Sequence, residues 1–172
     1  MRRGNSVDRQ YHIDRERSDK VLADARWVIE RAIGWNTHLA VDHLDNHEAT
    51  DVLADCGWQI AIRSRSYGKY FEKYGNEFTL RSCRGNGMET ELSKIRRGFG
   101  DYLFYGFAQG FEHRYFNIID LAVFRKAVAQ LGADAFSNGE IPNTDGETFF
   151  RAFDVRLFKA AGFPIVHIEG AC

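Results

Sequence analysis

Two adjacent strands joined by a tight turn are predicted by one stretch of the sequence, Asp51-Val-Leu-Ala-Asp-Cys-Gly-Trp-Gln-Ile-Ala-Ile-Arg63. The first strand, Asp51–Ala54, is short, and Cys56-Gly57 supplies the turn. The second strand, Trp58–Ser64, alternates in polarity, which is typical of a half-buried strand. This alternation places Ile60 and Ile62 on one face of the strand and puts the following on the other: Gln59, Ala61, Arg63 and Arg65.

The elements on either side of this stretch predict a mixed sheet flanked by helices. Ser18 caps a helix whose apolar residues recur at helical spacing as far as Gly34. The other predicted helices are Thr90–Arg97, Val123–Leu131 and Thr148–Ala161. The other predicted strands and extended runs are His38–Leu44, Glu77–Ser82, Asp101–Ala108, Tyr115–Leu121 and Phe163–Ile168, with a loop at Asn138–Gly146.

The order of these elements predicts an α+β or α/β fold. Its mixed sheet has an αβββαβ-like core, extended by a C-terminal helix and strand. Residues 1–17 are charged and carry no period, which predicts a flexible N-terminal segment. Residues 18–172 are then expected to form a single domain, as the length of the chain suggests.

The composition of the 172 residues excludes several classes of protein. Hydrophobic residues make up 44% of the chain and 14 residues are Phe, which is enough apolar material for a core and excludes a disordered chain. No apolar run is long enough to span a bilayer, and residues 1–5 do not begin a signal peptide. Three scattered cysteines indicate neither a disulfide framework nor a thiolate zinc site. We therefore expect a soluble, cytoplasmic protein with no membrane partner.

Charge is strongly segregated along the chain although the net charge is only −1. Between Asn36 and Ile62 there are five acidic residues and no Lys or Arg. Between Arg63 and Arg97 there are nine basic and four acidic residues. Because phosphate responds to the local field and not to the total charge, the basic segment is compatible with a polyanionic partner.

Residues 18–108 resemble the αβββαβ core of the PD-(D/E)XK nuclease-like superfamily. The resemblance lies in the order of a helix, the strand pair with Asp51 at its start, and the helix and strand that follow. In that superfamily an acid on one strand and an acid-x-lysine on its neighbour hold a divalent metal beside a phosphodiester. The resemblance implies Mg²⁺ as cofactor, Asp51 as the metal-binding aspartate and Glu30 as an added helical glutamate.

The motif departs from the superfamily pattern at two positions, because Ala61 replaces the second acid and Arg63 replaces the lysine. Gln59 is the nearest polar substitute, and Glu91 with Lys94 is a candidate for a migrated acid and base. Arg63 never deprotonates, so its expected role is to stabilise the scissile phosphate. The catalytic candidates are thus Asp51, Gln59, Arg63, Glu30 and Glu91, with Asp51 as the metal ligand.

A basic stretch with interleaved aromatic residues begins at Arg63 and indicates contact with nucleic acid, DNA in the first place. Positive groups neutralise phosphates, and rings stack on exposed bases. The alternative is that the rings belong to the core beside solvated lysines. The residues predicted to bind nucleic acid are Arg65, Lys69, Tyr70, Lys73, Arg81, Arg84, Lys94, Arg96 and Arg97.

An acidic and histidine-rich segment offers a further candidate metal site, against the alternative of a solvated acidic loop. Its residues are His38, Asp42, His43, Asp45, His47 and Glu48. Searches for nucleotide-binding, hydrolase and metalloprotease motifs find none, and the serines have no His or Asp partner that the sequence alone assigns.

Three functions remain open at this point. The first is a metal-dependent DNA nuclease-like domain with a degenerate active site. The second is a non-catalytic binding or inhibitory protein that docks on nucleic acid or on a nucleic-acid-binding partner. In the third, the acidic segment Asp42–Asp55 mimics phosphate. Structural roles compete with all of them: Asp51 as the cap of a turn, and Arg63 and Arg65 as partners of Asp51 and Asp55.

Overall fold

The computed structural model describes residues 4–41, 48, 50–85 and 87–171, without the side chains of 4–14. The helices are α1 (Gly4–Ile33), α2 (Lys69–Tyr74), α3 (Glu91–Arg96), α4 (Leu121–Leu131) and α5 (Val155–Ala160), with a 3-10 turn at Ala133–Ala135. The strands are β1 (Thr37–Leu39), β2 (Val52–Ala54), β3 (Gln59–Ser66), β4 (Glu77–Arg84), β5 (Tyr102–Gln109), β6 (Glu112–Asp120), β7 (Ser137–Pro142), β8 (Thr148–Asp154) and β9 (Val166–Ala171).

These strands form two sheets, and the fold belongs to the α+β class. The larger sheet has the order β1-β2-β3-β5-β6-β9 and is mixed, because β3 and β5 are parallel while the other pairs are antiparallel. The smaller sheet is antiparallel and has the order β4-β8-β7. The predicted α+β class with a mixed sheet is confirmed, but the second sheet was not predicted, and it takes the place of a flanking helix over part of one face.

Each face of the larger sheet is covered by a different layer. One face packs against α1 through a cluster that includes Ala25, Ile29, Ile60 and Phe104. The opposite face packs against the smaller sheet and α4 through a cluster rich in phenylalanine rings. Burial of large aromatic side chains accounts for most of the hydrophobic stabilisation available to such a layer. The rings at its centre are Phe78, Phe124, Phe153 and Phe158.

Several predicted elements differ from the structure. The first helix begins at Gly4 instead of Ser18, because a helix continues through residues that lack an apolar stripe when each added residue gains a hydrogen bond. The predicted helix Thr148–Ala161 is wrong over its first half, which is strand β8, and only its second half contains α5. The predicted loop Asn138–Gly146 contains most of β7. Whether residues 1–17 move independently of the remainder stays a prediction.

The short length of β2 leaves part of β3 without a neighbour in the described part of the chain. β2 pairs only with Gln59 and Ile60, while β5 pairs with β3 along Ile60–Ser66. The C-terminal half of β3 therefore faces outward on one edge, between α1 on one side and β4 on the other. Within the described residues, no helix combines the length and apolar character needed to cross a membrane.

Candidate functional site

A pocket of about 480 Å³ lies at this open edge of β3. Residues 62–66 of β3 form its floor, the middle of α1 forms one wall, and β4 with part of β8 forms the other. Its charged lining residues come from five different segments of the chain. Arg17 is on α1, Asp51 precedes β2, Arg63 and Arg65 are on β3, Arg81 is on β4 and Glu91 is on α3.

Asp51 lies just before β2 and continues the pairing of that strand with β3. Its backbone N–H donates to the carbonyl of Ile60 over 3.0 Å. Its side-chain Oδ2 accepts the backbone N–H of Ile62 over 2.5 Å. The carboxylate therefore satisfies a donor at the strand edge while its residue lines the pocket.

Arg63 and Glu91 form an ion pair with two contacts at the wall of the pocket. Arg63 Nε donates to Glu91 Oε1 over 2.8 Å, and Arg63 Nη2 lies 2.7 Å from Glu91 Oε2. The side chain of Glu91 is only 8% exposed, whereas that of Arg63 is 38% exposed. Burial on its own would lower the pKa of Arg63, but Glu91 and then Asp51 raise that pKa above its ordinary value. Arg63 is thus held charged and in a fixed orientation.

Arg65 and Arg81 occupy the same side of the pocket. Arg65 Nη2 donates to Thr79 Oγ1 over 2.8 Å, which directs its guanidinium toward β4. The pKa of Arg81 is lowered, first by partial burial and then by the positive charges of Arg84 and Arg63. An anion bound among these side chains would relieve that repulsion, because it supplies the opposite charge at short range.

The charge and chemistry of the lining fit an anion better than Mg²⁺. Four arginines and two carboxylates line the pocket, and both oxygens of Glu91 already accept Arg63. Mg²⁺ requires several oxygen ligands in octahedral geometry, commonly carboxylates. The described residues contain no group of three or more His, Cys, Asp or Glu side chains able to hold a metal ion. The donor set at this pocket therefore does not fit the Mg²⁺ that the resemblance implies.

Two of the predicted catalytic residues do not line the pocket. Glu30 accepts the backbone N–H of Thr37 over 3.1 Å and its hydroxyl over 2.8 Å, so it joins α1 to β1. Gln59 donates to Glu48 Oε2 over 2.8 Å and accepts from the N–H of Gly100 over 3.3 Å. Both side chains are occupied in connecting elements, and the structure brings together only Asp51, Arg63 and Glu91 from the predicted catalytic set.

The residues predicted to bind nucleic acid are distributed over three surfaces. Arg65 and Arg81 line the pocket. Lys69, Tyr70 and Lys73 lie on α2, which begins three residues after Ser66 and exposes 59% of Tyr70. The third group is on or near α3, where Arg97 pairs with Glu89 over 2.9 Å. The other members of this group are Lys94 and Arg96. The remaining predicted residue, Arg84, is the last residue of β4.

The acidic and histidine-rich segment falls mostly outside the described residues. Asp42, His43, Asp45 and His47 lie there, so the candidate metal site and the phosphate-mimicking surface stay predictions. His38 Nδ1 lies 3.9 Å from Asp55 Oδ1 on the exposed edge at β1. Glu48 accepts the amide of Gln59, which ties this residue to the strand pair.

One arrangement at the pocket was missed by the sequence reasoning. Ser64 Oγ lies 2.8 Å from His113 Nε2, and His113 Nδ1 lies 2.7 Å from Asp24 Oδ2. The three residues come from β3, β6 and α1, so no local spacing in the sequence connects them. Of the three, Ser64 lines the pocket.

Comparison with known protein families finds no match for this chain, and comparison with curated proteins finds no similar protein.

Proposed function

We propose that this chain binds the phosphodiester backbone of a nucleic acid, DNA in the first place, and seats one phosphate in the arginine-lined pocket. The observation that carries this proposal is the convergence of four arginines from α1, β3 and β4 on one pocket. Guanidinium groups present planar, paired donors that match the oxygens of a phosphate. The PD-(D/E)XK-like core remains part of the proposal, supported by the order α1, β1, β2, β3, α3 and β5, with α2 and β4 inserted between β3 and α3.

The ion pair within the pocket supports binding in preference to metal-dependent hydrolysis. Arg63 holds both oxygens of Glu91, which removes the second carboxylate from any metal shell. Arg17, Arg65 and Arg81 then exceed the remaining charge of Asp51, and a net positive pocket attracts phosphate. Among the functions predicted from the sequence, a protein that docks on nucleic acid without a divalent metal is the one this geometry favours.

The exposed rings on α2 give the proposal a second contact region beside the pocket. Tyr67 is 39% and Tyr70 is 59% exposed, and Lys73 Nζ lies 5.0 Å from the ring centroid of Tyr74. Ser66, which lines the pocket, is followed directly by Tyr67. A strand that leaves the pocket along α2 would meet both rings and positive charge, the combination that single-stranded nucleic acid uses.

The test is fluorescence anisotropy with single-stranded and double-stranded DNA oligonucleotides in EDTA, over a series of salt concentrations. Arg81→Gln is expected to weaken binding about tenfold and to reduce the slope of log K against log salt by about one, because it removes one phosphate contact. Arg114→Gln is the matched control, because Arg114 on β6 pairs with Glu112 and does not line the pocket.

Equal losses in both variants would reject the pocket as the phosphate site. Wild-type affinity that does not change with salt would reject the phosphate contacts altogether. Absence of binding to every oligonucleotide would instead favour a protein partner.

A further inference from the structure

The chain of hydrogen bonds from Ser64 through His113 to Asp24 has the arrangement of an activated nucleophile. Asp24 Oδ2 accepts both the backbone N–H of His113 over 2.8 Å and its ring nitrogen Nδ1 over 2.7 Å. Because the carboxylate can only accept, Nδ1 carries the proton and Nε2 of the neutral ring is left as an acceptor. Ser64 Oγ, 2.8 Å away, then donates its proton to Nε2.

A bulge between β5 and β6 and a glycine in β5 allow the His113 ring to lie beside Ser64. The register of β5 and β6 shifts by one residue between Phe107 and Ala108, and this bulge pairs Ala108 with His113. A bulge of this kind turns a side chain to the opposite face of the sheet. His113 therefore shares a face with Phe104 and Phe116, the face covered by α1.

Gly106 provides the space that the imidazole ring occupies. It pairs with Ser64 across the parallel strands β3 and β5. A Cβ atom at Gly106 would lie 2.2 Å from His113 Cδ2 and 2.7 Å from His113 Nε2, closer than such atoms approach. The glycine has no positive φ, so its role here is the close approach of the ring and not an unusual turn.

The ring is poised to accept a proton at neutral pH. Its side chain is fully buried, and burial lowers the pKa of His113 below its usual value, although the contact with Asp24 acts in the opposite direction. A neutral imidazole is the form that works as a general base.

The open edge of β3 adds backbone donors near Ser64. The carbonyl of Ile60 and the N–H of Ile62 point to the edge where Asp51 lies, as their hydrogen bonds with Asp51 show. Since backbone direction alternates along a strand, the N–H of Ser64 points to the same edge. A group bound across this edge meets the hydroxyl of Ser64 from the α1 side, the N–H of Ser64 at the edge itself, and the arginines of β3 and β4 from the opposite side of the same pocket.

We propose that Ser64 is a nucleophile toward the phosphodiester bound in the pocket, with His113 as its general base and Asp24 as the positioning residue. This inference rests on the proposed function, because the arginines select a phosphate as the electrophile. Guanidinium groups stabilise the charge that develops on phosphoryl oxygens during such a reaction. The chemistry needs no divalent metal, in agreement with the poor fit of the pocket to Mg²⁺.

In the proposed step, Ser64 Oγ attacks phosphorus and its proton passes to His113 Nε2. The bond from phosphorus to the ester oxygen opposite Oγ breaks, and that oxygen takes a proton from a water molecule, which becomes hydroxide, and leaves as an alcohol. The products are a phosphodiester that joins Ser64 to the remaining strand, and a free hydroxyl. Hydroxide then attacks the adduct from the side opposite Oγ, and Ser64 Oγ leaves with the proton held on His113 Nε2, which releases a phosphate monoester, so that atoms and charge balance without an oxidant or reductant.

The experiment uses the full chain, EDTA and bis(4-nitrophenyl) phosphate, an activated phosphodiester. We expect release of 4-nitrophenolate and a 4-nitrophenylphosphoryl group on Ser64, detected by intact mass and peptide mapping after acid quench. Ser64→Ala is expected to lower the release about 100-fold or more. Ser93→Ala is the matched control, because Ser93 is an exposed serine on α3 that does not line the pocket, and this variant should retain the wild-type rate.

Oligonucleotide binding is measured on the same three proteins, so that the two proposals fail in distinguishable ways. Binding in all three, with release that only Ser64→Ala abolishes, supports the nucleophile. Binding without release in the wild type overturns the nucleophile, identifies the Ser64–His113–Asp24 chain as a structural link and leaves the proposed function standing. Release that persists in Ser64→Ala also overturns it. Absence of binding and of release overturns both proposals.

Discussion

Arg63 shows how one residue decides the chemistry of its surroundings. A lysine at this position in the PD-(D/E)XK pattern is a compact charge able to lose its proton, whereas the guanidinium of Arg63 stays charged and spans both oxygens of Glu91. Ala61, two residues earlier, is buried in the core and offers no ligand. The two departures therefore act together, since one removes a carboxylate from the sequence and the other occupies both oxygens of Glu91.

We expect Glu91→Gln to lower the free energy of unfolding by about 1–3 kcal/mol, because it leaves the guanidinium of Arg63 without its charged partner in a partly buried setting. Glu89→Gln is the matched control. Its partner Arg97 is 61% exposed, and an exposed pair contributes about 1 kcal/mol or less. Urea denaturation of the three proteins measures the difference. Equal losses would show that Glu91 and Arg63 do not form the buried pair.

At the scale of the element, His113 connects α1 to the larger sheet. Its ring and backbone both bond to Asp24, so the helix is attached to β6 at a point where the apolar cluster between them ends. The bulge in β6 and the glycine in β5 are needed for this contact. A polar network of this kind stabilises one arrangement of helix and sheet only while every group in it is satisfied.

This connection predicts a pH dependence of stability. Burial lowers the pKa of His113, so the unfolded chain binds the proton at a higher pH than the folded chain. The stability that the folded state gains by holding His113 neutral is complete above the ordinary pKa of 6.5. It is lost as the pH falls toward the lower pKa of His113 in the folded state. The free energy of unfolding should therefore decrease from about pH 6.5 to pH 5, above the range where most carboxylates titrate.

His113→Gln should flatten that slope, as measured by urea denaturation at a series of pH values. His38→Gln is the control, since the side chain of His38 is 59% exposed on β1, and it should follow the wild-type profile. If the free energy of unfolding of His113→Gln depends on pH as strongly as that of the wild type, His113 is not the source of this pH dependence.

At the scale of the whole molecule, the pocket exists because three layers meet at an edge of the C-terminal half of β3 that no strand among the described residues pairs with. α1 supplies Arg17 and Ser18, β3 supplies the floor, and β4 of the smaller sheet supplies Thr79 and Arg81. The net charge of the chain is −1, yet these layers bring positive side chains from distant segments to one place. The local field, and not the total charge, determines which ligand is attracted.

Because the lining fits an anion, Mg²⁺ should not stabilise the folded chain. We expect the unfolding temperature in millimolar MgCl₂ to equal that in EDTA with NaCl of the same ionic strength. A ligand that binds only the folded state raises this temperature in proportion to its occupancy, so differential scanning fluorimetry detects the ion directly. A rise with Mg²⁺ that disappears in Asp51→Asn would restore the metal site that the resemblance implies.

The sequence by itself determined the features that depend on neighbouring residues. The alternation of β3 placed Arg63 and Arg65 on one face of the strand. Thr90 caps α3, and the sign of the charge in each segment follows directly from its residues. Periodicity failed at Thr148–Asp154, where β8 is the middle strand of its sheet and its residues are largely half-buried, so no alternation is visible.

The tertiary structure alone decided which polar groups meet across long separations in the chain. Glu30 and Gln59 had the residue types of a site but bond to Thr37 and Glu48, whereas Ser64 and His113 gave no sign of their contact. The physical reason is that local spacing follows the helical and strand periods, while contacts between elements depend on sheet register, on a one-residue bulge and on a missing Cβ at Gly106.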